Sequence, residues 1–465
     1  MNKYTGGAAT DDGPRINAAM AGATADNPIT LIIDGSALIS GLFLPAGGYW
    51  SIAGLGSATG FYTKSGSNCD AIQNGSASAE VPFNPGPPAP TARGSNVSLS
   101  NFTLNGNQNR VSTTGIRQGT DSTWYCGIDL INLNNISIEN LVVVYVPAFH
   151  IRLSNVGNVT VSGCILQSAG YNTDGVHFDG PANDISISNC KFTTGDDAIA
   201  LNCPEGYTGN ISRVTVSNCT FDSLTLMRLY TVAPDWGPMF YIDTVNVSNC
   251  SGTLVNSGFL IGTCKYSNPN SVTGVTISDC TLTAPSVLDL AANFGTIVLS
   301  NITLNRADAN LAPGFALVRS SPVLAGMTYI GASLSIANCV LSRNGDFDAS
   351  ALILENGSTV ENLELNGLAV QDATGKSYAP AQELIEFASG TIGQLVLDAV
   401  TSTKIEAPVS AGGFGYIGTI SGTGVLATDW EFPDAVMAND VPYISATNGQ
   451  PSIKINGVVE PYDPS

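Results

Sequence analysis

The sequence predicts an all-β fold, a right-handed single-stranded parallel β-helix with a short N-terminal capping helix, and three observations predict it. First, a phrase of the form V-x-V-S-N-C recurs, ending at Cys164, Cys190, Cys219, Cys250, Cys280 and Cys339, with gaps of 26, 29, 31 and 30 residues and then 59, about two periods. A fixed period of roughly 20 to 50 residues marks a solenoid, a propeller or an array. Second, apolar residues alternate within each period, as at Ile185 and Ile187 or Val214 and Val216, and β-branched residues abound. That is the period of short strands. One period holds two or three of them parted by Gly, Asn, Asp or Ser, too little for a propeller blade and enough for one coil of a β-helix. Third, the chain carries 50 Gly and only 12% charged residues, with almost no amphipathic helical pattern.

The elements follow in order. Residues 1–30 are expected to cap the first coil: in DDGPRINAAMAGA, Asp11 to Ala23, acidic residues precede a Pro at a plausible first helical position, and Ile16, Ala19 and Met20 share one face. A solenoid must cover its open end, and a short helix does so. Residues 31–425 are expected to form the β-helix, with early strands near Leu31–Ile33 and Trp50–Ile52. The stretch VPFNPGPPAP, Val81 to Pro90, holds five prolines, and because proline cannot donate to a strand ladder it reads as an excursion loop. Residues 426–465 break the period and are expected to be a cap, an oligomerisation strand pair or a small module.

The S-N-C phrase has a plain structural reading. Equivalent positions stack on successive rungs about 4.8 Å apart, so Asn189, Asn218 and Asn249 should form a ladder of turn amides, with the cysteines as a column of small apolar fillers. A disulfide framework is the weaker alternative, since Cys is only 10 of 465 residues. No C-x-x-C pair occurs, so no zinc or other metal site is expected.

A solenoid adds rungs to one core, so 465 residues need not divide into several domains. With 17 basic against 37 acidic residues, nucleic acid and anionic membrane are poor partners, because both require a basic face. A strongly anionic polymer is disfavoured for the same reason. No stretch approaches the 18 or so apolar residues of a membrane span. The opening MNKYTGGAATDDGPRINAAM lacks the apolar segment of a secretory signal, so the chain is expected either not to be exported by that route or to have lost a leader.

The segment NTDGVHFDGPANDISISNCKFTTGDDAIALN, Asn172 to Asn202, carries the chemistry. On a β-helix Asp174 and Asp197 fall on adjacent rungs with Asp196 next in sequence, so three carboxyls crowd together. Like charges that close cannot all ionise cheaply, and one should keep its proton towards neutral pH while the others stay ionised. Turn aspartates without catalytic use are the bland alternative.

NTDG, at Asn172 to Gly175, followed by GDDAIALN, at Gly195 to Asn202, resembles the core of the polygalacturonase-like glycoside hydrolases, family 28. The resemblance is convincing over roughly residues 96 to 300. It implies a right-handed parallel β-helix that hydrolyses a polysaccharide with inversion and without a cofactor. It places the general acid on Asp196 and the water-activating carboxylates on Asp174 and Asp197. Inversion requires acid and base oxygens about 6.5–9.5 Å apart. The departures matter as much. The family's G-H-G is absent, and in LMRLY Arg228 stands where the family's R-I-K has its Arg while Tyr230 replaces the Lys. The resemblance makes that Arg and Lys the holders of a galacturonate carboxyl, so a different glycan is expected.

Strand alternation puts Val176, Phe178, Ile199, Leu201, Met227 and Leu229 inward. It leaves Arg152, His177 and Arg228 as an outward column expected to form a sugar-binding wall, with Asn202 and Tyr230 nearby; a solvated face with chance ion pairs is the alternative. His150 is expected to pack or to line the rim. Trp124, Tyr171 and Trp236 are the loop aromatics best placed to stack on a sugar. A uronate lyase or C5-epimerase on the same fold, loosely matched by Tyr171, Asp174, His177 and Asp197, is the second reading, and a non-catalytic glycan-binding fibre is the third. The DDGxxINA-like opening resembles phage tail spikes, which implies a virion setting and a homotrimer; a secreted monomeric polysaccharidase is the other setting.

Overall fold

The computed structural model describes residues 10–75, 89–108, 125–231, 240–262, 271–306, 315–320, 328–343, 349–354, 357–372, 377, 381–387, 389–398, 405–409, 414–421, 442–444, 451–455 and 458–461. The chain divides into two compact units, Met1–Asn246 and Val247–Ser465. The fold is the right-handed parallel β-helix that the repeat predicts.

In the first unit each coil contributes to three parallel ladders. One runs from Ile29–Ile33 through Gly48–Gly54 and Gly94–Ser100, then the second halves of Ile128–Glu139, Ile151–Ser162 and Val176–Ser188, to Ile211–Ser217. The second joins Gly60–Thr63, Thr103–Asn105, Val142–Val144, Ile165–Ser168, Lys191–Thr194 and the start of Thr220–Tyr230. The third carries the site. It joins the first halves of Ile128–Glu139, Ile151–Ser162 and Val176–Ser188 to Asp197–Asn202 and the end of Thr220–Tyr230. Alternation along these strands fills the interior with Ile, Val, Leu and Phe, nearly all with no exposure.

The amides of the repeat do what their position suggests. Asn101, Asn140, Asn189 and Asn218 all adopt left-handed backbone, φ 53–58°, which Asn tolerates better than other side-chain-bearing residues. Asn140 Nδ2 donates to Asn101 Oδ1 at 3.1 Å. The one S-G-C variant confirms the constraint, for Gly163 holds φ 63° and a Cβ there would collide with Asn140 Oδ1. Cys164 and Cys190 are buried thiols, not disulfide-linked, each pointed at the carbonyl of the Ser two residues earlier.

The N-terminal helix spans Gly13–Met20 and buries Ile16 and Met20, whereas Ala19, expected on that face, is exposed. The buried stripe runs through Gly13, Ile16 and Met20, three and four residues apart, and Ala19 falls beside it. Asn17 acts differently: its Nδ2 donates to Gly41 C=O at 3.2 Å and its Oδ1 accepts from Phe43 N–H at 2.9 Å.

The second unit repeats the three-ladder arrangement, with Val272–Ser278, Phe294–Ser300, Ile330–Ala337, Ser358–Asn366, Ser389–Asp398 and Phe414–Ser421 as one ladder. Among the described residues, its last parallel strand ends at Ser421. The strands Pro442–Ile444, Pro451–Ile455 and Val458–Pro461 pair antiparallel instead. No helix among the described residues is long and apolar enough to cross a membrane.

Candidate active site

The site is built on the third ladder of the first unit. Val176 pairs with Ile199, and Gly175 N–H donates to Asp197 C=O at 3.0 Å, which sets Asp174 beside Asp197 on the next rung. The close approach of these turns requires small residues. A Cβ on Gly175 would strike the Ala198 carbonyl and the Phe192 ring. Thr173 Oγ1 donates to Gly170 C=O at 2.8 Å and accepts from Gly195 N–H at 3.0 Å, and Asn172 N–H donates to Asp196 Oδ2 at 3.1 Å. The NTDG turn and the GDD turn are thus stitched together, and the three aspartates meet.

Their environments differ. Asp174 and Asp197 are buried, while Asp196 is half-buried and reachable from solvent. Burial, then the nearby Asp174 charge, push the Asp196 carboxyl up to about 6. Burial raises Asp174 as well, opposed by its hydrogen bond to His177, and burial raises Asp197 despite Arg228, whose Nη1 stands 3.8 Å from Asp197 Oδ2.

The inward residues Val176, Phe178, Ile199, Leu201, Met227 and Leu229 are buried as alternation requires. The outward row is in register as well, running Asp129, Arg152, His177, Ala200, Arg228 over successive rungs. Its members are not an exposed wall, however. Arg152 is buried and bidentate to Asp129, with Nε–Oδ1 at 3.1 Å and Nη2–Oδ2 at 2.6 Å. An arginine so committed cannot meet a sugar. His177 is 1% exposed, because the loop after Asp197–Asn202 folds over it. Only Arg228 of the row is partly open, its guanidinium 5.0 Å from the Tyr230 ring centre.

His177 is ringed by acids. Nδ1 lies 2.8 Å from Asp174 Oδ2, and Nε2 lies 3.1 Å from both Asp179 Oδ1 and Glu205 Oε2. The ring stacks on Phe149 at 4.0 Å and 14°. Burial acts to lower its pKa, but the hydrogen bonds with Asp174, Asp179 and Glu205 outweigh it and hold the imidazolium well above the usual range. Asp179 also accepts from Ser154 Oγ at 2.5 Å. Although burial acts to raise it, the His177 hydrogen bond and charge win and hold Asp179 below its ordinary value. The ligand atoms of His177, Asp179 and Glu205 lie within 4.8 Å of one another, the closeness a metal ion needs. Asn202, however, turns its Nδ2 donor to Glu205 Oε2 at 2.8 Å, with Nε2 of His177 3.5 Å away. The two carboxylate oxygens 3.1 Å from Nε2 are acceptors and fit a proton on that nitrogen.

Asn202 and Tyr230 are largely buried, and Tyr171 is 70% exposed beside Asn172. Trp124 and Trp236, like residues 81–88 of the proline-rich stretch, lie outside the described residues. His150 packs as expected, fully buried with Nδ1 2.7 Å from Asp174 C=O, and burial pushes it down to about 4. Asp129, Asp179 and Glu205 are the site residues that sequence reasoning missed. Alternation from His177 reaches Asp179, and one further step along the Arg152 row reaches Asp129; nothing in NCPEGYTGN marks Glu205.

These features define a parallel β-helix with a cluster of three aspartates at adjoining turns. Residues 94–223 match the model for glycosyl hydrolases family 28, a stretch that holds all three aspartates but neither Arg228 nor Tyr230. Two probable polygalacturonases of Arabidopsis thaliana are similar, one 25% identical over 136 residues, covering 22% of this chain and 30% of the relative, the other 34% identical over 86 residues, covering 18% of each. The chain spans less than a third of the length of these curated relatives. In fold it is similar to a family 28 exopolygalacturonase of Yersinia enterocolitica, at TM-score 0.52 and 12% identity over 87% of this chain and 76% of that one. It is also similar to the tailspike protein of E. coli bacteriophage HK620 solved with a pentasaccharide, at TM-score 0.61 and 11% identity over 90% and 73%.

Proposed function

We propose that the chain is an inverting glycoside hydrolase acting on a polysaccharide, with Asp196 as general acid and Asp174 and Asp197 holding and deprotonating the attacking water. One observation carries the reading: burial raises all three adjoining carboxyls, and of the three only Asp196, pushed up to about 6, is open to solvent, while Asp174 is paired with His177 and Asp197 faces Arg228. Glycoside hydrolysis needs one protonated carboxyl for the leaving oxygen and one carboxylate for the water.

We further infer that the sugar at the cleaved bond bears no carboxylate. Six acids, Asp129, Asp174, Asp179, Asp196, Asp197 and Glu205, surround three cations, Arg152, His177 and Arg228, and each cation is matched to an acid. A uronate would enter a field of its own sign. The same argument weighs against a uronate lyase or epimerase, which needs a cation to neutralise the substrate carboxyl. The setting we infer is extracellular or on a virion, as a homotrimer in the second case and a monomer in the first.

The test is a screen of defined neutral and uronate polysaccharides by reducing-end release, with product anomers followed by NMR. New reducing ends of inverted configuration, lost in Asp196→Asn, support the reading. Unsaturated ends absorbing in the near ultraviolet would replace it with a lyase, and binding without cleavage that Asp196→Asn leaves unchanged would replace it with a fibre.

A further inference from the structure

We propose that His177 is a fixed cation, clamped by Asp179 and Glu205, that positions Asp174 as the ionised partner of the acid group Asp196.

The argument is first one of hydrogen positions. A neutral imidazole has one N–H and one lone pair. Here both ring nitrogens face carboxylates, Nδ1 towards Asp174 at 2.8 Å and Nε2 towards Asp179 and Glu205 at 3.1 Å each. With a single proton, one lone pair would point at a carboxylate in a buried pocket. Both nitrogens must therefore donate. Burial, in which unpaired charge is costly, is met on both edges of the ring by opposite charge and on one face by Phe149.

Cation placement then sorts the three aspartates. His177 touches Asp174, and Arg228 stands 3.8 Å from Asp197. Asp196 receives backbone N–H groups but no cation at ion-pair distance among the described residues. Burial raises Asp174 and Asp197 as well, but each of them has a cation beside it, so Asp196, the one open to solvent, is the carboxyl placed to hand a proton to a leaving group. The other charged groups around the ring act through this frame. Arg152, on the strand below, is matched to Asp129, while Arg228 and Asp197, on the rungs above, are matched to each other. Gly206 completes the clamp, since its left-handed backbone, φ 59°, turns the loop at Glu205 and a Cβ there would strike the Asp179 carboxylate.

The positioning role rests on the hydrolase reading of the aspartates, whereas the charge state does not, so the two are tested apart. The chain has only two histidines, which makes nitrogen NMR of the histidine-labelled full chain direct. His150 supplies the neutral reference, with Nδ1 on a backbone carbonyl and Nε2 buried without a partner. Between about pH 5 and 8, the range in which an ordinary histidine titrates, one ring should stay neutral and the other should keep both nitrogens protonated. Glu205→Gln, which keeps the shape and removes one charge, should lower the His177 midpoint by about 1 to 3 pH units. Two neutral rings in the wild-type spectrum, or a stoichiometric metal ion recovered with the protein, would overturn the clamp whatever the chain hydrolyses. For the role itself, His177→Gln should move the acid limb of kcat/KM up in pH, because Asp174 would keep a proton to higher pH, while the alkaline limb, set by Asp196 beside an ionised Asp174, should not move down. A lower rate with an unmoved profile would mean that His177 merely packs. Failure of every glycan to be cleaved, with the imidazolium intact, would overturn the hydrolase reading and the positioning role with it, leaving the charge state standing.

Discussion

Asp196 gives the sharpest test, because its environment fixes where activity should disappear. General acid catalysis requires the proton, so the rate should follow the protonated fraction and fall as pH rises through the pKa. With the carboxyl pushed up to about 6 by burial and the Asp174 charge, a single-site curve leaves about 90% protonated at pH 5, half at pH 6 and about 10% at pH 7. The alkaline limb of kcat/KM should therefore turn near pH 6 and fall about tenfold per unit beyond it. Asp196→Asn removes the proton and should cost on the order of 10² to 10⁴-fold at the optimum, with that limb abolished. Asp174→Asn removes the repulsion, so the limb of any residual activity should move down in pH. Reducing-end release at constant ionic strength from about pH 4 to 9 measures all three. A limb at the ordinary aspartate position, or an Asp196→Asn variant within tenfold of wild type, would refute the reasoning.

Further predictions concern the scaffold and the rim. Arg152→Met should leave Asp129 buried and unpaired and destabilise by about 3–5 kcal/mol, read as a shift in denaturation midpoint, whereas Arg152→Met with Asp129→Leu should recover most of the loss. Gly163→Ala should be destabilising by about 1–3 kcal/mol through its left-handed backbone alone, with the collision against Asn140 added. Asn218→Gly should be tolerated where Asn218→Ala is not, since only the former suits φ 55°. Tyr171→Ala, at the most exposed aromatic near the aspartates, should raise KM for a cleaved glycan without moving either limb of the pH profile.

The repeat was legible because its signal is local and recurs: an Asn able to turn left-handed, a small Cys behind it and alternating apolar residues on either side. The meeting of Asp174, Asp196 and Asp197 was legible for the same reason, since a known period converts sequence spacing into adjacency. What escaped was cover. Alternation states which side of a strand Arg152 and His177 leave from, but not what lies over them. For Arg152 the cover is Asp129, one rung before on the same row. For His177 it is Glu205, delivered by the Cys203–Asn210 turn, whose path depends on Gly206 and on no periodic signal. A row expected to greet a sugar is, for that reason, mostly a set of internal ion pairs.

The carboxamide of Asn17 has a consequence for how copies of the chain behave together. By offering one donor to Gly41 C=O and one acceptor to Phe43 N–H, it occupies two backbone groups that an incoming strand would otherwise use as a template. A single side chain there stands in for a neighbouring strand without being extendable. Asn17→Ala would free those two groups.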